Sequence, residues 1–365
     1  MGNCSHVKKR EVVIYIFFAL IAFCKGLGLS SSSKIYIIMY IFGIIMVFLK
    51  ISTEKYTYKE LIPILILFLI GIVDLIFGGV TTVLFTAISL CCLKDINIKQ
   101  IVKIMLFARM ISFLLLILLS TTGIVENNVI LHYRNGVGFI NRYSLGYEHP
   151  NLAHSSFSII VILFGYLYYR KINLFYVFLI EILNYILYSF TVSRTGFMII
   201  SIYLIFLLVV KNIKFIRENI TKIINVLFIF FIFISFVLAW GYGKIPFFET
   251  LNSLLTGRIN YMSQLLNNYS VPLIGRESYG NILFDNGYFS ILYEGGLLAS
   301  IWYFYYNFKA NKYIKQHKLI PEALLSIFFM FYCIFESYYM NILMNPCLFF
   351  ITYVIFTNRN EKNLQ

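Results

Sequence analysis

Three clusters of polar residues could carry chemistry in this sequence, and each stands at the start of a long apolar run. The clusters are Glu148, His149, Pro150, Asn151 and His154; Ser193, Arg194, Thr195 and Gly196; and Asp285, Asn286, Gly287 and Tyr288. Proline favours the first turn of a helix, and serine or aspartate favours the position that caps it. Each cluster therefore predicts a helix N-terminus, where free N–H groups and the helix dipole favour an anion.

Arginines accompany these clusters. Five lie in the same parts of the chain: Arg134, Arg142, Arg194, Arg258 and Arg276. The planar guanidinium can bind a phosphate through two parallel N–H bonds, which a lysine ammonium cannot do. We therefore predict a site for a phosphate or diphosphate, with Arg194 and Arg258 as its main ligands and the other three in support. Ordinary helix caps, with arginines that reach toward lipid headgroups, are the alternative.

Few residues could act as a general base. His149 is our first choice because Glu148 and Asn151 stand beside it, Asp285 is the second choice, and Glu148 follows. Aspartate occurs only three times, so a DxD pair is absent, and HExxH is absent as well. We therefore expect no metal ion, and the pattern disfavours a metal-dependent transferase that uses a nucleotide sugar.

The composition indicates a polytopic membrane protein. Hydrophobic residues make up 60% of the chain and charged residues 13%, and the mean hydropathy is +0.81. Such a chain is too apolar to cover the surface of a water-soluble domain. The net charge of +14 does not indicate a nucleic acid partner, because no basic soluble face is available to bind one.

Apolar runs predict about twelve transmembrane helices, with ten or eleven as alternatives because several runs are short. The runs are 12–24, 35–49, 61–77, 79–93, 101–122, 152–169, 172–190, 196–210, 223–241, 287–306, 322–341 and 343–357. With the N-terminus inside, the cytoplasmic loops carry 21 of the 30 basic residues and the opposite side carries 8. This bias predicts the orientation and places both termini in the cytoplasm.

Two hydrophilic segments, about 123–151 and 242–286, lie on the outer side in this topology. Each has the length of a functional loop. No internal repeat or separate soluble segment is evident, so we expect residues 1–365 to form a single membrane domain.

Acidic side chains also fall within the apolar runs. Glu181 and Glu336 are functional candidates for that reason, because an acid inside a membrane is costly unless it serves a purpose. We expect Arg109, which also lies within a run, to form a structural ion pair with Glu181.

Six short motifs follow one another within residues 100–310. They are HPN at 149–151, SRTG at 193–196, LLTGR at 254–258, PLIGRE at 272–277, DNGYF at 285–289 and YEGGL at 293–297. With the long outer loop before HPN, this order resembles the Wzy-type polysaccharide polymerases of the O-antigen polymerase and ligase superfamily. Five residues of these clusters and motifs are expected to support the predicted site: Asn151, His154, Asn286, Tyr288 and Glu294.

The resemblance implies an all-α, GT-C-like glycosyltransferase in the bacterial cytoplasmic membrane. Such an enzyme joins oligosaccharide repeat units carried on undecaprenyl diphosphate into a capsular or other surface polysaccharide at the outer face. The expected partners are these lipid-linked oligosaccharides and membrane lipid, and the resemblance also allows a chain-length regulator. No metal, other cofactor or nucleic acid is expected.

Two other functions stay open. An O-antigen-type ligase would use similar chemistry with another acceptor, but ligases of the superfamily typically have a histidine where this chain has Asp285 and Asn286. A flippase or other transporter of lipid-linked oligosaccharide would line its helices with charge and would show two related halves. Neither feature is evident in the sequence.

The topology can be tested with reporter fusions. A reporter fused after residue 135 or 260 is expected to be external, and one fused after residue 215 or 315 is expected to be cytoplasmic, because the basic loops stay inside. Paired alkaline phosphatase and fluorescent protein fusions measure this. A cytoplasmic signal after residue 260 would remove the outer-face site.

Overall fold

The backbone N–H and C=O groups of a membrane span have no water to bind, so apolar segments of this length must form helices. The computed structural model describes residues 9–29, 33–134 and 138–356, and most of these residues are helical. Some of the basic residues behind the predicted orientation, Lys8, Arg359 and Lys362, lie outside the described residues.

The described part of the chain contains fifteen α-helices and one β-hairpin. In chain order the helices are α1 (Lys9–Gly26), α2 (Lys34–Thr53), α3 (Tyr58–Gly78), α4 (Thr82–Cys92), α5 (Ile98–Thr121), α6 (Pro150–Tyr168), α7 (Leu174–Thr191), α8 (Arg194–Asn212), α9 (Lys214–Gly241), α10 (Pro246–Leu254), α11 (Arg258–Asn268), α12 (Gly287–Tyr293), α13 (Gly296–Gln316), α14 (Ile320–Tyr332) and α15 (Thr352–Ile355). A 3-10 helix, Pro346–Ile351, precedes α15. Strands β1 (Val129–Arg134) and β2 (Gly138–Tyr143) pair antiparallel between α5 and α6.

Seven of the described helices are long and apolar enough to cross a membrane. They are α2, α3, α5, α6, α7, α8 and α9. The chain is therefore an all-α polytopic membrane protein in its described part, but the predicted count of about twelve spans does not hold there.

Several predicted spans are too short as helices. The run 79–93 forms α4, which has 11 residues, and all of them from Val83 to Cys92 are buried, so it is a core helix. Within the run 322–341, α14 ends at Tyr332. The carbonyl oxygen of the next residue, Cys333, accepts the N–H of Gly287 at 2.7 Å. The run 343–357 forms only the 3-10 helix and α15.

The run 287–306 divides at a pair of glycines. Gly296 has a φ of 73°, in the left-handed region that favours glycine, so α12 ends before it and α13 starts anew. A Cβ atom at Gly296 would also lie 2.6 Å from the backbone nitrogen of Gly275. The first predicted span forms α1, which has basic residues at both ends and is not among the seven candidate spans.

The chain forms two compact units. Unit 1 comprises Met1–Met46 and Ile96–Asn212, and unit 2 comprises Val47–Asp95 and Ile213–Gln365. The boundary therefore falls within α2. The expectation of a single membrane domain stays a prediction.

Helix α6 is the centre of unit 1. It packs against α5, α7 and α8, while α1 packs against α5. Of the apolar stretch of α6, 67% is buried inside the protein, against 17% for α7. The outward surface of α7 is therefore free to face lipid.

His154, on α6, holds these helices together through polar contacts. It is fully buried, and its Nε2 and Nδ1 atoms lie 2.9 Å from Asn184 Oδ1 and 3.0 Å from Thr191 Oγ1. Asn184 and Thr191 stand two turns apart on one face of α7. A Cβ atom at Gly196, in α8, would lie 2.6 Å from the ring of His154. The glycine of the SRTG motif thus lets α8 approach this histidine.

The expected ion pair between Arg109 and Glu181 is not formed by these two described side chains. Glu181 instead accepts a hydrogen bond from Asn184 Nδ2 at 3.0 Å, which extends the network around His154. Arg109 is buried on α5, close enough to Lys25 and Tyr36 to interact with their side chains electrostatically.

Unit 2 is built around α9 and α13. Helix α9 packs against α11, α13 and α14, and α3 packs against α4 and α13. A Cβ atom at Gly71 would lie 2.6 Å from the backbone of Leu84, so this glycine permits the close crossing of α3 and α4. These helices carry the loops that meet at the site described below.

Replacement of Gly196 by alanine should test the packing of unit 1. Gly196→Ala forces the added methyl group against His154, and we expect a loss of about 1–3 kcal/mol of stability, the usual cost of overpacking a core. Thermal unfolding in detergent measures it, and Met198→Ala, which alters an exposed residue of the same helix, is the control. Unchanged stability of the Gly196 variant would contradict the contact.

Candidate functional site

Three segments of unit 2 meet around the side chain of Arg258. Arg258 is the first residue of α11, Asp285 lies two residues before the start of α12, and Glu336 follows α14. Arg258 is 5% exposed, so its guanidinium is removed from water. The structure thus joins two predicted site residues to a glutamate 78 positions further along the chain.

A tight turn positions Arg258. Thr256 and Gly257 have φ values of 56° and 88°, and such left-handed backbone strains every residue except glycine. The turn separates α10 from α11, and the side-chain oxygen of Asn252 accepts the N–H of Asn260 at 3.0 Å. This bond satisfies one of the free N–H groups in the first turn of α11. The LLTGR motif is therefore a helix start whose first side chain is buried.

The guanidinium of Arg258 contacts two carboxylates. Its Nη2 atom lies 3.3 Å from Oε1 of Glu336, and its Nε atom lies 3.9 Å from Oδ2 of Asp285. The first contact is a hydrogen bond, whereas the second is too long to be one. The side chain of Asp285 is 30% exposed, twice the 15% of Glu336. Glu336 is therefore the fixed partner and Asp285 the accessible one.

Arg258 retains hydrogen-bonding capacity. Its Nε and Nη1 atoms are buried and have no hydrogen-bond partner among the described residues. An unsatisfied buried N–H costs about 1–3 kcal/mol, and more for a charged group. An anionic ligand with oxygen atoms could accept these bonds. The cluster therefore has the donors of an anion site and an accessible carboxylate beside them.

The electrostatics of the cluster keep Arg258 charged. Burial lowers the pKa of Arg258, but Glu336 and Asp285 together hold that pKa above its ordinary value. Burial raises the pKa of Glu336 and Asp285 raises it further, while Arg258 and a hydrogen bond from Tyr338 oppose the shift. Glu336 consequently keeps a proton to a higher pH than a solvated glutamate does.

Asn286 fixes the geometry of this cluster. Its Oδ1 atom accepts the N–H groups of Tyr288 and Phe289 at 2.9 and 3.1 Å, and its Nδ2 atom donates to Ser235 Oγ and to the carbonyl oxygen of Ile334. The first pair caps α12, and the second ties it to α9 and to the segment that carries Glu336. Asn286 therefore has a structural role that holds its neighbour Asp285 near Glu336.

Tyr288 is fully buried as well. Its hydroxyl donates to the carbonyl oxygen of Met330 at 2.7 Å, which links α12 to α14. This predicted supporting residue acts on the site through packing, since none of its surface is open to a ligand.

The PLIGRE and YEGGL motifs pack closely against each other. A Cβ atom at Gly275 would lie 1.9 Å from the carbonyl oxygen of Glu294, and the N–H of Gly275 donates to Asp74 Oδ1 at 3.0 Å. Arg276, the next residue, is exposed and donates its backbone N–H to Tyr293 O. The motif glycine thus serves a close approach of two chain segments, and Arg276 is open to solvent.

Glu294 is a second acid with an altered pKa. Burial raises its pKa to about 7, a hydrogen bond from Ser290 Oγ at 2.6 Å opposes the shift, and the nearby Glu277 adds to it. Its contacts are with α12 and the PLIGRE segment. This predicted supporting residue is therefore partly protonated at neutral pH.

The predicted site residues of unit 1 form a separate group. Arg142 is buried, and its Nε and Nη2 atoms donate to Thr191 O at 2.9 Å and to Asn151 Oδ1 at 2.5 Å. Two of the predicted residues, Arg142 and Asn151, thus bind each other and join β2 to α6 and α7. His154 lies in the same network, through Thr191.

His149 caps α6. Its Nδ1 atom accepts the N–H of Asn151 at 3.1 Å, so in the neutral ring the proton lies on Nε2. The Nε2–H group can donate a hydrogen bond, whereas Nδ1, the accepting nitrogen, is already occupied and is not available as a general base. Glu148, next to it, is exposed.

The remaining predicted arginines differ in their surroundings. Arg194 is exposed at the first position of α8 in unit 1. Arg134 ends β1, and its side chain lies outside the described part of the structure. Arg194 and Arg258 belong to different units, so their common diphosphate site stays a prediction.

Sequence reasoning missed Asn184, Thr191 and Ser235 as polar partners inside the helices. A signal was present for the first two, since a polar pair two turns apart on an otherwise apolar helix indicates a buried polar contact. Ser235 lies in the apolar second half of α9, and nothing in its neighbourhood along the chain points to Asn286.

No family model, curated protein or solved structure matches this chain. The resemblance to the Wzy-type polymerases therefore depends on the sequence motifs alone.

The two carboxylates around Arg258 should differ in their effect on stability. Glu336→Ala leaves the buried guanidinium without its hydrogen-bonded partner, and we expect a loss of about 3 kcal/mol. Asp285→Ala should cost less, because its contact is longer and more exposed. Thermal unfolding in detergent measures both, with Glu277→Ala at an exposed position as the control. A larger loss for Asp285→Ala would reverse the assignment of the fixed partner.

Proposed function

We propose that this chain is a polymerase that joins oligosaccharide repeat units, carried on undecaprenyl diphosphate, into a capsular or other surface polysaccharide. The reaction takes place at the outer face of the bacterial cytoplasmic membrane, within a GT-C-like membrane domain. The proposal combines the order of the sequence motifs with the cluster of Arg258, Asp285 and Glu336.

The buried guanidinium of Arg258 supports this function best. Its Nε and Nη1 donors have no hydrogen-bond partner among the described residues, and Asp285 beside it is 30% exposed. A transfer from a lipid diphosphate needs a cation for the leaving group and a base for the incoming hydroxyl. Arg258 and Asp285 have the chemical properties for these two roles.

In the proposed reaction, the hydroxyl oxygen of the terminal sugar on one lipid-linked unit attacks the anomeric carbon of the chain on a second lipid. A new C–O bond forms, and the bond from the anomeric carbon to the phosphate oxygen breaks. Undecaprenyl diphosphate leaves with the bonding electrons, and the hydroxyl proton passes to a carboxylate. No nucleotide takes part.

We assign the base role to Asp285. Its carboxylate is accessible and close to the cation, whereas Nδ1 of His149 already accepts the N–H of Asn151. His149, the first choice from the sequence, is then a residue that holds the start of α6. Glu148 is exposed and is the remaining alternative for the base.

The arginines have different roles in the proposed reaction. Arg258 stabilises the charge that develops on the diphosphate, and Glu336 orients its guanidinium through the 3.3 Å contact. Arg194 and Arg276 are exposed and would attract the anionic donor. Arg142 holds β2 to α6 and α7, because its hydrogen bonds go to Asn151 and Thr191.

Chain growth by the purified protein tests this function. Reconstituted protein is incubated with undecaprenyl-diphosphate-linked repeat units in the presence of a chelator, and the products are separated by size. A ladder is expected without added nucleotide. Arg258→Lys should slow its appearance by about 10²-fold or more, since an ammonium keeps the charge but loses the paired donors.

A matched control replaces an arginine outside the proposed site. Arg170→Lys alters an exposed arginine on the predicted cytoplasmic side and should leave the ladder unchanged. A normal ladder from Arg258→Lys would exclude the leaving-group role. Transfer of one preformed glycan to another acceptor would indicate a ligase, and passage of the lipid-linked unit across the membrane without a new bond would indicate a flippase.

A further inference from the structure

The hairpin of β1 and β2 has an apolar face. The strands pair Val129 with Tyr143, Leu131 with Asn141 and Tyr133 with Phe139. Directly paired residues of an antiparallel ladder lie on the same face, as do residues two apart along one strand. Leu131 is 62% exposed and Phe139 is 70% exposed. This apolar face, comprising Val129, Leu131, Tyr133, Phe139 and Tyr143 with Asn141 as its polar member, is largely uncovered by the rest of the protein.

The opposite face of the hairpin anchors it to the helices. Arg142 lies on that face and donates to Thr191 O, at the end of α7, and to the side chain of Asn151, at the start of α6. The N–H of Ser144 donates to Asn128 O at 3.0 Å and closes the base of the hairpin. The hairpin is therefore held in one orientation, with its apolar face turned outward.

The apolar face continues onto the outward surface of α7. The ring of Tyr143 lies 6.5 Å from that of Phe190, in an edge-to-face arrangement. Phe190 is exposed, and so are Ile186 and Leu183 on the same side of α7. Because α7 is one of the seven candidate spans and little of it is buried, this side of the helix is suited to face lipid. The hairpin thus extends a lipid-facing surface beyond the end of the helix.

The hairpin lies where three candidate spans begin or end. It lies between the end of α5 at Thr121 and the start of α6 at Pro150, and it is bonded to the last residue of α7. Two strands leave backbone N–H and C=O groups unpaired on their outer edges, so the hairpin cannot enter the hydrocarbon region. Tyrosine and phenylalanine at this level are typical of the interfacial belt, where apolar rings meet polar headgroups.

We propose that the apolar face of the hairpin binds the lipid surface, with Tyr133, Phe139 and Tyr143 inserted among the headgroups of the adjacent leaflet. Continuity with the lipid-facing side of α7 selects lipid as the occupant. The hairpin is then fixed on one side by Arg142 and on the other by the bilayer. This inference does not depend on the proposed polymerase activity.

Photo-cross-linking tests the contact. A benzophenone analogue of phenylalanine is incorporated at position 139, on the apolar face, and separately at position 132, on the opposite face. The full-length protein is reconstituted in vesicles of phosphatidylcholine and phosphatidylglycerol, irradiated and analysed by mass spectrometry. Lipid adducts are expected at position 139 and should be absent at position 132.

Position 178 on α7 provides the positive control, because Phe178 is 66% exposed on a candidate span. Lipid adducts at 178 without any at 139 would overturn the proposal. Adducts at 139 that join two copies of the chain would overturn it in favour of a protein interface. Equal lipid adducts at 139 and 132 would also contradict it, because both faces would then meet the bilayer.

Discussion

Polar side chains inside the apolar helices must find their partners within the protein, because hydrocarbon offers none. In unit 1, His154 uses both ring nitrogens, on Asn184 and Thr191. In unit 2, Asn286 uses all four of its hydrogen-bonding positions, two on backbone N–H groups and two on oxygen acceptors. Both residues belong to the polar clusters that suggest chemistry in the sequence. Their contacts show that the same residue types also fix how the helices pack.

The helices could be predicted where an apolar run continues without a tertiary break. Each of the seven candidate spans contains most or all of one predicted run. Hydropathy could not show the breaks, because Gly296 and Cys333 are as compatible with an apolar run as their neighbours are. The breaks arise from contacts with distant residues, the backbone of Gly275 in one case and the N–H of Gly287 in the other. Such contacts have no signature along the chain.

The residues of the site could be predicted from the sequence, but their arrangement in space could not. Arg258 stands out from the sequence as an arginine of the second hydrophilic segment, and Asp285 as a charged residue at a predicted helix start. Glu336 stands out as an acid within an apolar run. These three residues come together through tertiary contacts, which rules based on local sequence do not predict. The motif glycines illustrate the same limit: Gly196 and Gly275 have no chemistry, and only the nearness of His154 and of Glu294 explains them.

The unused donors of Arg258 have a thermodynamic consequence. A ligand that binds the folded protein and not the unfolded chain stabilises it by mass action, in proportion to the logarithm of its concentration. Nε and Nη1 are buried donors that only the folded chain assembles beside Asp285. Any anion that accepts their hydrogen bonds therefore transfers part of its binding free energy to folding. The loops that carry Arg258, Asp285 and Glu336 would then be most firmly held when the site is occupied.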